Sequence, residues 1–271
     1  MTNRLHYFLL IVFTVWFAVG LVIVVGHIST PFDRLGDFIF MLLGAMLVIV
    51  SWVRFYGIGR TMAAFFTVTL LALATEASGM TWGFPFGEYS YTDRFGPLLP
   101  PGVPAAIPLA WWVIVGGLFL AFDYILFGLG TGDAFNRVML VFLTASLATG
   151  IDFVLEPVAV YVRGYWHWES GDFYYGVPLG NFVSWFAVAA IMGGLLSIFT
   201  REKGRRQVWA QPRVWVCPGV ILAILVMFSS ANAVAGFRLA AVIGVGASLL
   251  CALLIVALWR LEKRSFRNFR S

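Results

Sequence analysis

Residues 7–26 read YFLLIVFTVWFAVGLVIVVG, a stretch of 20 residues without a charged side chain. A bilayer core about 30 Å thick is crossed by a helix of roughly 20 apolar residues, so this stretch predicts a transmembrane helix. The whole chain has this character, because 61% of its 271 residues are hydrophobic and 11% are charged, against about 25% charged residues in soluble domains. The composition indicates an integral membrane protein. It argues against a disordered chain, a disulfide-rich secreted domain and a nucleic-acid-binding protein.

Seven further apolar runs follow the first. They cover residues 37–54, 60–76, about 105–122, 138 to about 156, about 177–200, 214 to about 230, and 239–259. The last two are predicted to be separate spans joined by a tight turn at 231–238, because one helix over 214–259 would be about 69 Å long at about 1.5 Å per residue. The prediction is an all-α, polytopic transmembrane helical bundle of about eight spans, with residues 1–271 forming a single integral membrane domain.

Lysine and arginine residues are distributed unequally between the two sides of such a bundle. With eight spans, 14 of the 18 fall on the side that holds both termini. The positive-inside rule then predicts a multi-pass protein of the cell membrane with both termini in the cytoplasm. The basic residues on that side are Arg4, Arg54, Arg60, Arg137, the group within 201–213 and the tail within 260–270.

Two long connections on the opposite side, residues 79–105 and 157–176, are rich in aromatic residues, glycine and proline. Such segments are expected to fold back into the bundle, because irregular backbone at membrane depth has to be covered by protein or water. The alternative is an aromatic belt at the membrane interface.

The two connections resemble each other. In order along the chain, each has an acidic residue, an aromatic-rich pentapeptide, a Gly-Val-Pro sequence and a tryptophan seven residues after the proline. These elements are Glu76, GEYSY at 87–91, GVP at 102–104 and Trp111 in the first connection, and Glu156, GDFYY at 171–175, GVP at 176–178 and Trp185 in the second. The pattern predicts a tandem repeat of helix pairs, formed by spans 3–4 and 5–6.

Three carboxylates fall inside the predicted spans, where charged residues are costly and usually functional. Glu76 lies 16 residues beyond Arg60 and Asp152 lies 15 beyond Arg137, so we expect the two acids at similar depths. Glu156 lies one turn further along the helix face of Asp152. The alternative is that all three are helix-end carboxylates that meet lipid headgroups.

Several kinds of cofactor site are not predicted. No pair of histidines has the spacing of metal ligands, no Gly-rich phosphate loop is present, and both lysines, Lys203 and Lys263, lie in predicted cytoplasmic segments, which excludes a retinal Schiff base. A buried carboxyl can stay protonated and act as an acid, and aromatic faces stabilise a nearby cation by about 2 kcal/mol or more when dry. The combination is typical of cofactor-free chemistry on an apolar substrate.

These motifs resemble the membrane-bound carotenoid 1,2-hydratases of the CruF type, a family that includes the bisanhydrobacterioruberin hydratases. The similarity covers roughly residues 60–200. Its first block consists of Glu76, GFPFGEYSY at 83–91, GVP at 102–104 and IPLAW at 107–111. Its second block consists of Asp152, EP at 156–157, GYWHW at 164–168, YGVP at 175–178, Asn181 and Trp185.

The resemblance implies a cofactor-independent hydro-lyase that adds water to the terminal C1=C2 double bond of an acyclic carotenoid and leaves a tertiary alcohol. An acid would protonate C2, and water would attack the tertiary cation at C1. We predict Asp152 as the acid, with Glu76 or Glu156 orienting the water. The predicted partners are the carotenoid, water and the lipid bilayer. The predicted substrate-binding residues are Trp82, Phe86, Glu88, Tyr89, Tyr91, Trp111, Trp168, Tyr175, Asn181 and Trp185.

Two other functions stay open. An integral-membrane carotenoid cyclase also begins by protonating a carotenoid, but the Pro-x-Glu-Glu/Asp motif associated with lycopene cyclases is missing. A carotenoid-binding or transport protein would need no chemistry at all, and nothing in the acid pattern excludes it.

Overall fold

Long apolar helices dominate the computed structural model, which describes residues 3–128, 133–200 and 213–268. The helical chain includes two π-helical turns, Trp112–Gly116 and Val158–Arg163. The α-helices are α1 (Asn3–Val25), α2 (Asp33–Tyr56), α3 (Ile58–Trp82), α4 (Ala106–Trp111), α5 (Gly117–Gly128), α6 (Asp133–Pro157), α7 (Leu179–Phe199), α8 (Val216–Ala235) and α9 (Arg238–Asn268).

Eight helical segments of the described chain are long and apolar enough to cross a membrane. The fourth span combines α4, a π-helical turn and α5, and the fifth combines α6 with the second π-helical turn. The predicted all-α, multi-pass architecture with eight spans is therefore confirmed. The basic segment 201–212, which includes Lys203, and the last residues of the basic tail lie outside the described residues. The orientation of the termini stays a prediction.

The turn between the last two spans is shorter than predicted. Residues 231–235 continue α8, and Gly236 ends the helix in a left-handed conformation with φ of +86°. The amide of Phe237 donates to the carbonyl of Asn232 at 2.9 Å. Gly236 and Phe237 alone therefore reverse the chain, because glycine accepts the positive φ at a helix C-terminus without a steric cost.

Both helices that carry the buried acids run further than the sequence predicts. Helix α3 continues past Gly79 and ends at Gly83, which has φ of +68°. Helix α6 passes through Pro157 into its π-helical turn and ends at Gly164, with φ of +60°. Proline lacks the amide that an α-helix requires, and a π-helical turn absorbs such a break without ending the helix.

Short strands join the two long connections to each other at one end of the bundle, which we call the loop end. Strand β1 (Tyr89–Tyr91) pairs antiparallel with β4 (Trp166–Trp168), so that Tyr89 faces Trp168 and Tyr91 faces Trp166. A second pair joins β2 (Leu98–Leu99) to β3 (Val103–Pro104). The sequence did not predict either pair of strands; β1 and β4 in particular lie far apart in the chain, and β2 and β3 have only two residues each. Residues 89–91 therefore pair with 166–168, and residues 171–175, which match 87–91 in the sequence repeat, lie outside this sheet.

The core beneath the loop end is aromatic. The rings of Trp52 and Trp112 lie 5.2 Å apart, and that of Phe119 lies 5.8 Å from Trp52. The indole N–H of Trp52 donates to the carbonyl of Gly116 at 2.8 Å, at the end of the first π-helical turn. These fully buried rings pack α2 against the fourth span.

Candidate active site

A cavity lies beneath the paired strands, between α2, α3, α4, α6, α7 and α8. The empty space in it is about 1010 Å³, part of which is open to the outside. Its walls are mainly aromatic and aliphatic, but Glu76, Asp152 and Glu156 all line it and are only 5%, 2% and 2% exposed. We call it the carboxylate cavity.

Glu76 accepts hydrogen bonds from three side chains. The hydroxyl groups of Tyr89 and Tyr91 donate to its Oε2 at 2.6 and 2.7 Å, and the indole N–H of Trp111 donates to its Oε1 at 3.2 Å. Both tyrosines reach the same carboxylate because alternate residues of a strand point to the same face. Strand β1 and helix α4 thus hold one acid from two sides.

The two tyrosines stay proton donors. Burial raises the pKa of the Tyr89 hydroxyl, and the neighbouring Glu76 raises it further. The same two causes raise the pKa of Tyr91 well above its usual value. Both hydroxyl groups are therefore protonated at neutral pH and continue to donate to the carboxylate.

Glu156 is held by an equivalent set of donors. The indole N–H groups of Trp166 and Trp168 both donate to its Oε2 at 3.1 Å, and the amide of Asn181 donates to its Oε1 at 3.1 Å. Trp166 stood in the GYWHW motif at 164–168 but was not among the predicted substrate-binding residues. Its signal was the alternation of Trp-His-Trp, which matches the alternation of Tyr-Ser-Tyr at 89–91.

The structural counterpart of Glu76 is therefore Glu156, although the sequence predicts Asp152 at the depth of Glu76. Glu76 lies seven residues before Gly83, and Glu156 lies eight residues before Gly164. The π-helical turn accounts for the extra residue, since π-helical turns lengthen a helix by such insertions.

Asp152 has a different environment from the two glutamates. It lies one turn before Glu156 on the same face of α6, and its Oδ2 accepts a hydrogen bond from the amide of Asn181 at 2.7 Å. That bond is its one hydrogen bond to a side chain among the described residues. The Asn181 amide, itself 1% exposed, thus bridges the two acids of α6.

Stacked tryptophans line the cavity beside the acids. The rings of Trp111 and Trp185 are 4.0 Å apart and their planes differ by 18°. These are the two tryptophans found seven residues after the prolines of the repeat. Phe86 also lines the cavity, with its ring 6.3 Å from that of Trp111. The repeat thus brings its two tryptophans into direct contact.

Three predicted substrate-binding residues lie outside the cavity. Trp82 is 77% exposed at the end of α3, and the side chain of Glu88 is exposed. The ring of Tyr175 packs against Phe237 at 5.1 Å, and its hydroxyl accepts from the amide of Leu239 at 3.2 Å. All three lie outside the cavity for related reasons. Helices α3 and α6 extend beyond their predicted ends, and the acids are covered by β4 and not by residues 171–175.

A second polar group in the same cavity was not predicted. The Tyr165 hydroxyl donates to Asp37 Oδ2 at 2.5 Å, the Arg163 Nη2 donates to the same oxygen at 2.9 Å, and the Arg163 Nε donates to the Tyr165 hydroxyl at 2.9 Å. The ring of Phe95 stacks on Tyr165 at 4.1 Å. Asp37 was predicted at the end of a span, and Arg163 was predicted to lie in the connection 157–176.

Within residues 3–128, 133–200 and 213–268, no group of three or more histidine, cysteine, aspartate or glutamate side chains is placed to hold a metal ion. The amide of Asn181 lies between Asp152 and Glu156 and donates to both.

The chain is similar to known proteins. A family described as carotenoid biosynthesis protein matches residues 36–251, a longer stretch than the 60–200 of the sequence resemblance. A bisanhydrobacterioruberin hydratase of Haloarcula japonica is 28% identical over 194 residues, which are 69% of this chain and 62% of that protein. The match thus spans less than two thirds of that relative. No solved structure matches the chain.

Proposed function

We propose that this chain, which belongs to the carotenoid biosynthesis protein family, is a carotenoid 1,2-hydratase. It would add water to the terminal C1=C2 double bond of an acyclic carotenoid end group. The observation that carries the proposal is a set of three buried carboxylates in one aromatic cavity, two of them held by three donors each and the third by one. The hydratase name of the similar archaeal protein supports the same reaction.

The hydrogen bonds support Asp152 as the acid. Three donors stabilise the ionised form of Glu76 and of Glu156, because hydrogen bonds to a carboxylate favour its charged state. Asp152 has one such donor and lies one helical turn from Glu156. Two adjacent carboxylates do not both ionise cheaply in a dry site, so Asp152 carries the proton.

The reaction then needs no redox change. Asp152 gives its proton to C2, the electron pair of C1=C2 forms the new C–H bond, and C1 becomes a tertiary cation. The faces of Trp111 and Trp185 stabilise that cation, by about 2 kcal/mol or more in a dry site. A water molecule bonds to C1 and loses a proton to Glu156 or Glu76, and return of a proton to Asp152 completes the cycle.

Isotope labelling tests this function. Purified protein in detergent, given an acyclic carotenoid and no added cofactor, should form a monohydroxylated product, and heavy-oxygen water should label the new hydroxyl group. Label from molecular oxygen would identify an oxygenase and refute the proposal.

The same assay separates the alternatives. A hydratase product is heavier than its substrate by one water. A cyclase would give a ring product of unchanged mass, and a binding or transport protein would return the pigment unchanged. The polar Asp37–Arg163–Tyr165 group in the cavity wall favours a site that admits water over one that excludes it.

A further inference from the structure

A second pocket, more polar than the first, opens at the loop end of the bundle. Its walls include Ser29, Asp33, Asp93 and Arg94, and its empty space is about 970 Å³. We call it the loop-side pocket. Two residues, Val24 and Arg163, line both this pocket and the carboxylate cavity. These two side chains therefore belong to the partition between the two spaces.

Arg163 has a carboxylate on each side of this partition. Its Nη2 donates to Asp37 at 2.9 Å, and Asp37 lines the carboxylate cavity. Its Nη1 is 4.0 Å from Asp33, which lines the loop-side pocket. Asp33 and Asp37 are four residues apart on α2 and so occupy one face of that helix. The guanidinium thus lies between two acids, with the tighter contact on the cavity side.

One carboxylate oxygen of Asp33 is placed to accept a hydrogen bond from the guanidinium of Arg163. The amide and hydroxyl of Thr30 donate to its Oδ1 at 3.2 and 2.5 Å, which leaves Oδ2 directed at Arg163. The two acids are separated by one helical turn, about 6 Å along the axis. A shift of Arg163 toward Asp33 would release Asp37 and the Tyr165 hydroxyl and open the partition.

We propose that water enters the carboxylate cavity from the loop-side pocket and that Arg163 controls its entry by moving from Asp37 to Asp33. This inference rests on the proposed hydration, which consumes one water per reaction in a largely apolar cavity. Unrestricted water would weaken the electrostatic interactions of the buried acids. A controlled passage supplies the nucleophile and keeps the acids dry between reactions.

Thiol labelling tests the passage without any carotenoid. In a background with Cys217→Ala and Cys251→Ala, Ala110→Cys places a thiol in the carboxylate cavity, and Ser29→Cys places a control thiol in the loop-side pocket. The probe is a small charged methanethiosulfonate reagent, which reaches thiols through water. The measured quantity is the rate of modification in detergent.

Two matched variants should have opposite effects. Asp37→Asn weakens the hydrogen bond that keeps Arg163 on the cavity side, so the thiol of Ala110→Cys should be labelled about fivefold faster. Asp33→Asn weakens the contact to which Arg163 would move, so the same thiol should be labelled about fivefold more slowly. A fivefold change is the size expected for a partly exposed charged hydrogen bond. Val24→Phe, which narrows the same partition, should also slow labelling. The rate at Ser29→Cys should stay unchanged in every variant.

A merely structural ion pair would change labelling in the same direction in both asparagine variants, and that result would overturn the proposal. Equal rates in all backgrounds, or no labelling of Ala110→Cys in any of them, would overturn it too. If labelling changes as expected but the wild-type protein forms no hydrated carotenoid, the proposed function fails and the passage stands. If the wild-type protein hydrates carotenoids but labelling is the same in all variants, the proposed passage fails and the proposed function stands.

Discussion

Replacing Asp152 with asparagine should give a folded, carotenoid-binding protein that hydrates its substrate about 10²–10⁴-fold more slowly, the usual contribution of general acid catalysis. The substitution is close to isosteric. The asparagine oxygen can still accept the Asn181 amide that Asp152 accepts at 2.7 Å. What the variant lacks is the acidic proton, so the loss should appear in kcat while KM stays near its wild-type value.

Glu156→Gln is the comparison variant, at a carboxylate that is proposed to accept a proton and not to donate one. The amide offers one acceptor oxygen where the carboxylate offers two, and three N–H groups of Trp166, Trp168 and Asn181 point at this site. A donor then faces a donor, which costs about 1–3 kcal/mol of stability. The effect should therefore be seen more in thermal unfolding than in rate, and Glu156→Gln should lose less activity than Asp152→Asn.

The assay is the initial rate of hydroxylated product formation by purified protein in detergent, with carotenoid binding measured in parallel from the pigment spectrum. If Asp152→Asn keeps more than about a tenth of the wild-type rate, the general acid is another group. Glu76 would then be the first candidate, and its three donors would have to be reinterpreted.

Other features of the site make further predictions. Tyr89→Phe removes one of three donors to Glu76 and should lower the free energy of unfolding by about 1–3 kcal/mol, measured by thermal denaturation; an unchanged unfolding temperature would mean that this hydrogen bond is not formed. Trp185→Leu keeps an apolar side chain but removes the aromatic face, and loss of about 2 kcal/mol of cation stabilisation should slow hydration about 30-fold with carotenoid binding retained. Trp82→Leu should change neither quantity, since Trp82 is 77% exposed outside the cavity; a loss equal to that of Trp185→Leu would contradict the site. Reporter fusions placed after the last residue and within 79–105 should report opposite sides of the membrane, and a C-terminus outside would contradict the predicted orientation.

The span count was predictable because each span is a long apolar run, and a single apolar run in a bilayer satisfies its backbone hydrogen bonds as a helix. The acids were predictable for the same reason, since a carboxylate stands out in an apolar run. The ends of the helices were not predictable. Whether α6 ends at Pro157 or continues to Arg163 depends on a π-helical turn that packing stabilises and that no residue pattern marks.

The donors around the acids were predictable only in part. Tyr89, Tyr91, Trp111 and Trp168 were found as aromatic residues near the acids, but their hydrogen bonds depend on the pairing of β1 with β4. Pairing of strands so far apart in the chain is set by tertiary structure, because short strands carry little signal of their own. Tyr175 was predicted in the site for the same reason: it lies in an aromatic-rich segment like the residues of the site, but the tertiary structure places it outside the cavity.

The two halves of the repeat differ in the residues that matter most for the proposed chemistry. Glu76 and Glu156 occupy equivalent places, but one turn before Glu76 lies the buried Ala72, where the second half has Asp152. Three residues after the proline of each Gly-Val-Pro, the first half has an isoleucine and the second half has Asn181. The symmetric carboxylates can hold or accept protons on either side, whereas the Asp152–Asn181 pair exists on one side only. A carotenoid end in the cavity would therefore meet its proton donor from one direction, and this asymmetry would decide which face of the double bond is protonated.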